Sequence, residues 1–432
     1  MNLGIPKRTI LRHRYVKNRP AYESFLEHMD AYGDVWKVPQ REVATWWEAR
    51  QAAVLELRVT ASGNTGISCS LKDSVVEIDG KELRIPPFEI SIPCSLERGE
   101  IGITFDCETR HVDFLREVLG HLGYGHLTQA HPPGKADIGR DMLTPVLQKL
   151  RETALLHWNY SDEDIAALRG LVRRAHHERG IPELRLWTLP HRGRHPYRVC
   201  VSSRFDVDKA IINMPLINEL EAKHGLRSTA YLRPMGLFYG SRDIRRFRSR
   251  AGGNEIALHG EFVTSARQRF GDEFQAAIGE KKRLEWMIGQ EVAGVCMHGG
   301  ELSHNFSQNT RAAIEAAQFK YETMYRNNYY LPLHLPIDGG VMRTLSIGQH
   351  FADLNVTPDR DFAEELLKTF IDRFSKAAAV GGVFVPVLHP LYFDAFHYLC
   401  YPENLYRLGA YLPKYVVSIV RMRRKQNYVD QT

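Results

Sequence analysis

The chain has 432 residues, of which 44% are hydrophobic and 25% are charged, and its formal net charge is +6. This composition is typical of a globular protein with two or three domains. No Lys/Arg-rich run dominates any segment, so nothing predicts a nucleic-acid partner, and no apolar run approaches the ~20 residues of a membrane-spanning helix.

The six cysteines are scattered along the chain and form no CxxC pair. This pattern favours reduced thiols over a disulfide framework or a zinc knuckle. The first residues, MNLGIPKRTILRHRYVKNRP, lack the apolar region of a secretory signal. Together the two observations predict a cytoplasmic protein.

The first half of the chain divides into three segments by the spacing of its apolar residues. Residues 1–51 are predicted to form a helix, a strand and a second helix, with the strand over DVWKV. Residues 52–122 contain short alternating strands and a hairpin turn at Asp79-Gly80, which predicts a small antiparallel β-sandwich. Residues 123–195 are predicted to form a helical linker region.

Residues 196–432 alternate strands with helices, a pattern that predicts a parallel β/α architecture. Such folds carry their functional residues at the carboxyl ends of the strands. Four separate strands of this segment end at acidic or histidine residues, which are Asp206, Asp208, His259, His298 and His389. Because these strand ends meet on one rim, we expect the five side chains to share one site.

Asp206 and Asp208 carry the strongest chemical signal. Both follow the strand VCVSSRF and are separated only by Val207. Side chains two apart on a strand share a face, and two carboxylates held that close are costly without a cation, a proton or water. The pair therefore indicates a site, although Asp is also a favoured cap at the start of a helix.

From about residue 196 to residue 410 the chain resembles the polysaccharide deacetylases of the NodB-homology type, carbohydrate esterase family four. The resemblance lies in an ordered set of motifs, which are SRFDVD, GLRSTAY, NEIALHGEFV, TRAAIEAAQFKYET and VFVPVLHP. The family counterparts of the first, third and last are Thr-Phe-Asp-Asp-Gly, a strand ending in His-Ser/Thr-x-x-His, and Leu-His-Pro. The resemblance implies a distorted (β/α) barrel of the deacetylase type, preceded by the β-sandwich and the helical linker.

The resemblance also implies a reaction and its residues. Members of this family hydrolyse N- or O-acetyl groups on sugars with a divalent metal, and zinc is the metal expected here. Asp206 would be the general base, Asp208 and His259 metal ligands, and His389 the general acid. A divalent metal lowers the pKa of its bound water from ~16 towards ~7, after which a carboxylate and an imidazole can move the protons.

The chain departs from the family pattern at the third of these motifs. Val263 stands where the family has its second metal-binding histidine, and catalytic zinc sites usually have three protein ligands. Candidates for the missing ligand are Glu261, His298 and His304, of which His298 is the best placed, at the end of the next strand. The family's Arg-Pro-Pro-Tyr motif is also absent.

Several of these residues have a second interpretation. We predict that Glu261, His304 and Tyr325 contact the substrate, but Glu261 and His304 also fit ordinary loop positions. Tyr325 fits either stacking on a sugar ring or packing at the rim. A lone His259 is more often a hydrogen-bonded core residue than a ligand.

Residues 1–51 resemble the last helix, strand and helix of such a deacetylase domain, whose tails contain D-V-W and E-V-A-x-W-W. We interpret the segment as the remnant of a second domain of this type or as an opened reading frame. Its tryptophans Trp36, Trp46 and Trp47 are exposed unless they pack on another part of the chain.

The sequence therefore predicts a metal-dependent hydrolase that removes acetyl groups from a saccharide or polysaccharide precursor. One rival interpretation is an inactive barrel that binds carbohydrate through the same rim, and the replacement at Val263 favours it. Another is an interaction scaffold built on the β-sandwich.

Overall fold

The computed structural model describes most of the chain. The described residues are 18–59, 64–91, 102–105, 119–124, 135–138, 162–178, 180, 182–208, 211–234, 239–249, 252–298, 307–323, 330–337, 340–353 and 362–393. The strands, in chain order, are β1 (Val35–Lys37), β2 (Leu55–Val59), β3 (Thr65–Cys69), β4 (Val76–Ile78), β5 (Glu82–Arg84), β6 (Phe88–Ile90), β7 (Gly102–Phe105), β8 (Lys135–Ile138), β9 (Leu184–Leu186), β10 (His191–Arg192), β11 (His195–Pro196), β12 (Val199–Val201), β13 (Arg204–Val207), β14 (Thr229–Leu232), β15 (Glu255–Gly260), β16 (Gly294–Met297), β17 (Tyr321–Glu322), β18 (Leu333–Ile337), β19 (Gly340–Ser346), β20 (Phe351–Ala352), β21 (Val383–Phe384) and β22 (Pro386–Leu388).

The helices lie mainly between the strands. They are α1 (Asn18–Tyr32), α2 (Gln40–Gln51), α3 (Asp162–Glu178), α4 (Met214–Lys223), α5 (Ser241–Arg248), α6 (Phe262–Ser265), α7 (Glu273–Ile288), α8 (Gln308–Ala316), α9 (Phe362–Val380) and α10 (Pro390–Phe393). Shorter helical turns cover Gly120–Tyr124, Ile211–Asn213 and Ala266–Phe270. Within the described ranges, no helix has the length and apolar character needed to cross a membrane.

A nine-stranded sheet forms the centre of the molecule, with the strand order β18-β19-β17-β16-β15-β14-β13-β22-β20. Neighbouring strands run parallel except for β18 and β19. Strands β14, β15 and β16 are buried along their whole length, as expected for a parallel sheet that is covered on both faces. The sheet curls into a half-barrel, and among the described residues its edge strands β18 and β20 do not pair with each other.

Two strands that the sequence predicts as continuous are each divided in two. The segment YRVCVSSRF forms β12 and β13, and GVFVPVLH forms β21 and β22. Strand β12 pairs with β1 on one side and with β21 on the other in a separate three-stranded sheet, whereas β13 and β22 belong to the nine-stranded sheet. The divisions stay in register, since Val201 pairs with Phe384 and Arg204 with Val387. Both strands therefore step together from the small sheet onto the large one.

The N-terminal helix, strand and helix pack on the central core. Strand β1 runs parallel to β12, and the ring of Phe25 in α1 lies 5.2 Å from that of Phe370 and 5.7 Å from that of Phe384. Trp47 in α2 is fully buried. Residues 18–51 thus share one hydrophobic core with the nine-stranded sheet, which buries Trp47 and partly covers Trp36 and Trp46. Its origin as a domain remnant stays a prediction.

The strands that follow α2 form two three-stranded antiparallel sheets, β2-β3-β6 and β5-β4-β9. The sheets share an apolar cluster, which contains Ala53, Ile67, Val76, Leu184 and Leu186. The predicted hairpin is confirmed, because Asp79, Gly80 and Lys81 connect β4 to β5. The φ values of Asp79 and Gly80 are 50° and 70°, and a type I′ turn needs positive φ at both central residues. Strand β9 comes from beyond residue 122, and a sandwich formed by residues 52–122 alone stays a prediction.

Candidate metal centre

Three of the predicted metal ligands meet at one edge of the nine-stranded sheet. Asp208 directly follows β13, His259 is the penultimate residue of β15, and His298 directly follows β16. Strand pairing fixes this arrangement, because β13, β14, β15 and β16 are consecutive parallel neighbours. The carboxyl ends of the strands therefore bring the three side chains to one rim.

The carboxylate and the two imidazoles face one another at the spacing of metal ligands. Asp208 Oδ1 lies 3.1 Å from His259 Nε2 and 3.4 Å from His298 Nε2. Ligand atoms around a tetrahedral cation with bonds of about 2.0–2.1 Å are about 3.3 Å apart. Asp208 Oδ1 is buried and makes no hydrogen bond of acceptable geometry. The three residues therefore fit a divalent cation, which would satisfy this oxygen.

The charge states in the site suit the same cation. Burial, followed by repulsion from His259 and Arg233, lowers the pKa of His298 to about 4, so the ring is neutral at pH 7. Burial raises the pKa of Asp208, but the close contact and charge of His259 outweigh it and hold this pKa well below its usual value. An ionised carboxylate and a neutral imidazole are the forms that bind metal.

Glu261 lies next to His298, on the Nδ1 side of the ring. Its Oε1 accepts a hydrogen bond of 2.6 Å from Arg233 and lies 3.4 Å from His298 Nδ1. A carboxylate on the second nitrogen of a metal-binding imidazole holds the ring in orientation. The sequence predicts Glu261 as a substrate contact or third ligand, whereas its carboxylate here contacts Arg233 and His298.

Asp206 lies on the other side of His259 and is bound by Arg204. Arg204 Nε donates to Asp206 Oδ1 at 2.6 Å and Nη2 donates to Oδ2 at 2.8 Å, within the buried core. Burial raises the pKa of Asp206, but the charges of Arg204 and His259 lower it below its usual value. Asp206, His259 and Cys296 also lie within ligand distance of one another, yet the guanidinium already supplies positive charge there. The Asp208 group is therefore the better cation site.

His389 directly follows β22 and is held by Asp353. Its Nδ1 lies 2.7 Å from Asp353 Oδ1, and its backbone N–H donates to Oδ2 at 2.9 Å. Burial lowers the pKa of His389, but the carboxylates of Asp353, Asp206 and Asp208 raise it to about 9. His389 is therefore protonated at pH 7, with its charge close to the acid pair.

The other residues that the sequence analysis considers are His304, Tyr325 and Val263. His304 and Tyr325 lie outside the described residues. Val263 is buried in α6 and offers no ligand atom.

The structure adds four residues that the sequence did not single out, which are Arg204, Arg233, Cys296 and Asp353. Arg204 and Cys296 carried a usable signal, because each precedes a predicted site residue by two positions and therefore shares its face. Asp353 carried no local signal, because it follows the two-residue strand β20.

Fold and site together define an α/β protein whose half-barrel sheet carries a candidate metal centre at its carboxyl edge. No family model and no curated protein match the chain. Among solved structures, it is similar to a Mycobacterium smegmatis protein assigned as a polysaccharide deacetylase, with 15% identity and a TM-score of 0.35 over 53% of this chain and 91% of that chain.

Two further solved structures are similar to the chain. A carbohydrate esterase family four pseudoenzyme from Bacillus anthracis has 14% identity and a TM-score of 0.28, over 44% of this chain and 54% of that chain. A polysaccharide deacetylase from Bacillus cereus has 12% identity and a TM-score of 0.30, over 44% of this chain and 79% of that chain. These similarities are remote and cover about half of this chain.

Proposed function

We propose that the chain is a metal-dependent hydrolase that removes acetyl groups from a saccharide or polysaccharide precursor. The observation that carries the proposal is the convergence of Asp208, His259 and His298, with one buried carboxylate oxygen 3.1 Å and 3.4 Å from two imidazole nitrogens. The saccharide part rests on the resemblance of residues 196–410 to the motifs of polysaccharide deacetylases.

Asp208, His259 and His298 would hold the cation, and two nitrogen donors with one oxygen donor suit zinc. When bound, such a cation lowers the pKa of a coordinated water and polarises the acetyl carbonyl. His298 comes from the strand next to β15 and takes the place of the histidine that Val263 replaces. The carboxylate of Glu261 lies beside His298 Nδ1 and would hold this ring in orientation.

Asp206 and His389 have opposite protonation states, which suit a base and an acid. Asp206 is ionised and oriented by Arg204, and each carboxylate oxygen keeps a lone pair that can take a proton from the attacking water. His389 is protonated and gives its proton to the departing amine or alkoxide. Two groups of one site whose pKa values are pushed apart are typical of acid–base catalysis.

The second candidate function is carbohydrate binding without catalysis. Val263 favours it, because the family's second histidine is missing at this position. In that case the rim binds saccharide, the three ligands hold no cation and no acetate is released.

Bound metal and acetate release distinguish the two functions. We expect the purified chain to bind zinc, to release acetate from an acetylated oligosaccharide, and to lose both on chelation and in Asp208→Ala or His298→Ala. His177→Ala, at an exposed position of α3, is the matched control and should keep both. Acetate release that survives chelation and Asp208→Ala contradicts the proposal, and saccharide binding without zinc or acetate supports the inactive barrel.

A further inference from the structure

The ring nitrogen of His259 that faces away from Asp208 contacts the side chain of Cys296. His259 Nδ1 lies 2.9 Å from Cys296 Sγ, and both side chains are buried. His259 and Cys296 are register partners in the paired strands β15 and β16. Register partners stand on the same face of a sheet, so this contact is fixed by the strand pairing.

Cys296 also reaches Asp206. The thiol donates towards Asp206 Oδ1 across 3.9 Å, and Asp206 is itself fixed by two hydrogen bonds from Arg204. A thiol is both a weak donor and a weak acceptor, so Cys296 can accept from His259 while it donates to Asp206. A continuous series of contacts therefore runs from Arg204 through Asp206 and Cys296 to His259.

We infer that Cys296 is a positioning residue of the proposed metal centre: its sulfur accepts a hydrogen bond from Nδ1–H of His259 and so directs the Nε2 lone pair towards Asp208 and His298. The inference rests on the proposed function. A neutral imidazole that binds a cation through one nitrogen carries its proton on the other, and a buried N–H needs an acceptor. Metal-binding histidines usually donate this hydrogen to a carboxylate, a backbone carbonyl or water. In this chain the partner is a thiol.

Two substitutions separate this role from simple packing. Cys296→Ser keeps a group that accepts and donates but is smaller, whereas Cys296→Val fills the space and cannot accept. Positioning predicts that zinc affinity falls about 10–100-fold in Cys296→Val and stays within about threefold of wild type in Cys296→Ser. Packing predicts the reverse order, because the valine conserves the buried volume.

Zinc dissociation constants are measured on the full chain by competition with a chromophoric chelator, after thermal unfolding has confirmed that each variant is folded. Cys296→Ala replaces the valine variant if the latter does not fold. NMR of the zinc-loaded, ¹⁵N-histidine-labelled protein gives an independent readout. The Nδ1–H of His259 should exchange slowly with water in wild type and Cys296→Ser, and fast in Cys296→Val.

Two negative results have different meanings. A wild-type chain that binds no zinc overturns the proposed function and this inference with it. Equal zinc affinity in wild type and Cys296→Val overturns the inference alone and leaves the metal centre in place.

Discussion

At the scale of single residues, the buried carboxylate of Asp353 sets the charge of His389, the proposed general acid. The two oxygens of Asp353 contact the ring and the backbone N–H of His389. Asn18 donates a further hydrogen bond of 2.9 Å to Asp353 Oδ2. A substitution that removes the charge of Asp353 and keeps its shape therefore takes away both the charge and an accepting oxygen that favour protonated His389.

Asp353→Asn should lower the pKa of His389 from about 9 towards its ordinary value of 6.5, because burial then acts against fewer negative charges. The raised pKa stabilises the folded state, and this contribution is fully present below pH 6.5 and is lost as the pH rises through about 9. NMR titration of the metal-free protein measures the pKa. Asp372→Asn, which alters an exposed acid paired with Lys376, is the control. If the pKa of His389 is the same in Asp353→Asn as in wild type, Asp353 does not set the charge of His389.

The site residues differ in how far the sequence reveals them. Asp208, His259 and His298 each end a strand, so the local pattern and a parallel topology suffice to place them at one rim. The same pattern cannot tell whether Glu261 faces substrate or supports a ligand, because that depends on which side chain of the next strand lies beside it. Asp353 contacts its partner across 36 positions of chain, a pairing that only the tertiary fold creates.

At the scale of elements, helix α1 is tied to helix α4 through a buried carboxyl group. Tyr22 donates to Glu221 Oε1 at 2.6 Å, and Ser228 donates to Oε2 at 2.6 Å. Burial raises the pKa of Glu221 to about 8, although both hydrogen bonds act to lower it. The contact between α1 and α4 should therefore depend on pH.

Glu221→Gln should stabilise the protein at about pH 9 and have little effect at about pH 5. The folded state holds this proton more tightly than the unfolded chain, so the wild-type contribution is fully present below pH 4.5 and is lost as the pH rises through about 8. The amide cannot ionise, so the variant avoids a loss on the order of 5 kcal/mol. Urea unfolding at both pH values measures the difference, with exposed Glu219→Gln in the same helix as the control. Equal effects of Glu221→Gln at the two pH values would count against this role.

Turn chemistry made some elements predictable, and the lack of a turn signal hid others. The hairpin at Asp79-Gly80 follows from a turn that needs positive φ. The division of β12 from β13 does not, because the break falls at Ser202-Ser203, which contains no glycine or proline. The sequence also contains a signal for the β18–β19 hairpin, because Gly339-Gly340 follows an apolar run.

At the scale of the whole molecule, the N-terminal segment and the sheet form one packed unit. Phe25 is fully buried and packs edge-on against Phe374 and Phe384, with ring centroids 5.9 Å and 5.7 Å away. Phe384 belongs to β21, which leads directly into β22 and His389. A loss of packing at Phe25 should therefore also loosen the strands that carry the site residues.

Phe25→Ala should lower the free energy of unfolding by about 3–5 kcal/mol, the usual cost of truncating a buried aromatic residue. Amide hydrogen exchange should accelerate in β13–β16 as well as in α1, because both belong to the same core. Glu27→Ala changes an exposed residue of the same helix and should change little. Faster exchange confined to α1 would show that the N-terminal segment unfolds by itself.

A cation bound by Asp208, His259 and His298 is the central prediction for this molecule, and anomalous diffraction at the zinc edge from crystals grown with zinc tests it most directly. The predicted result is a peak about 2.0–2.2 Å from one oxygen of Asp208 and one ring nitrogen of each histidine. The contradicting result is no peak at this position, or a peak between Asp206 and Cys296 instead.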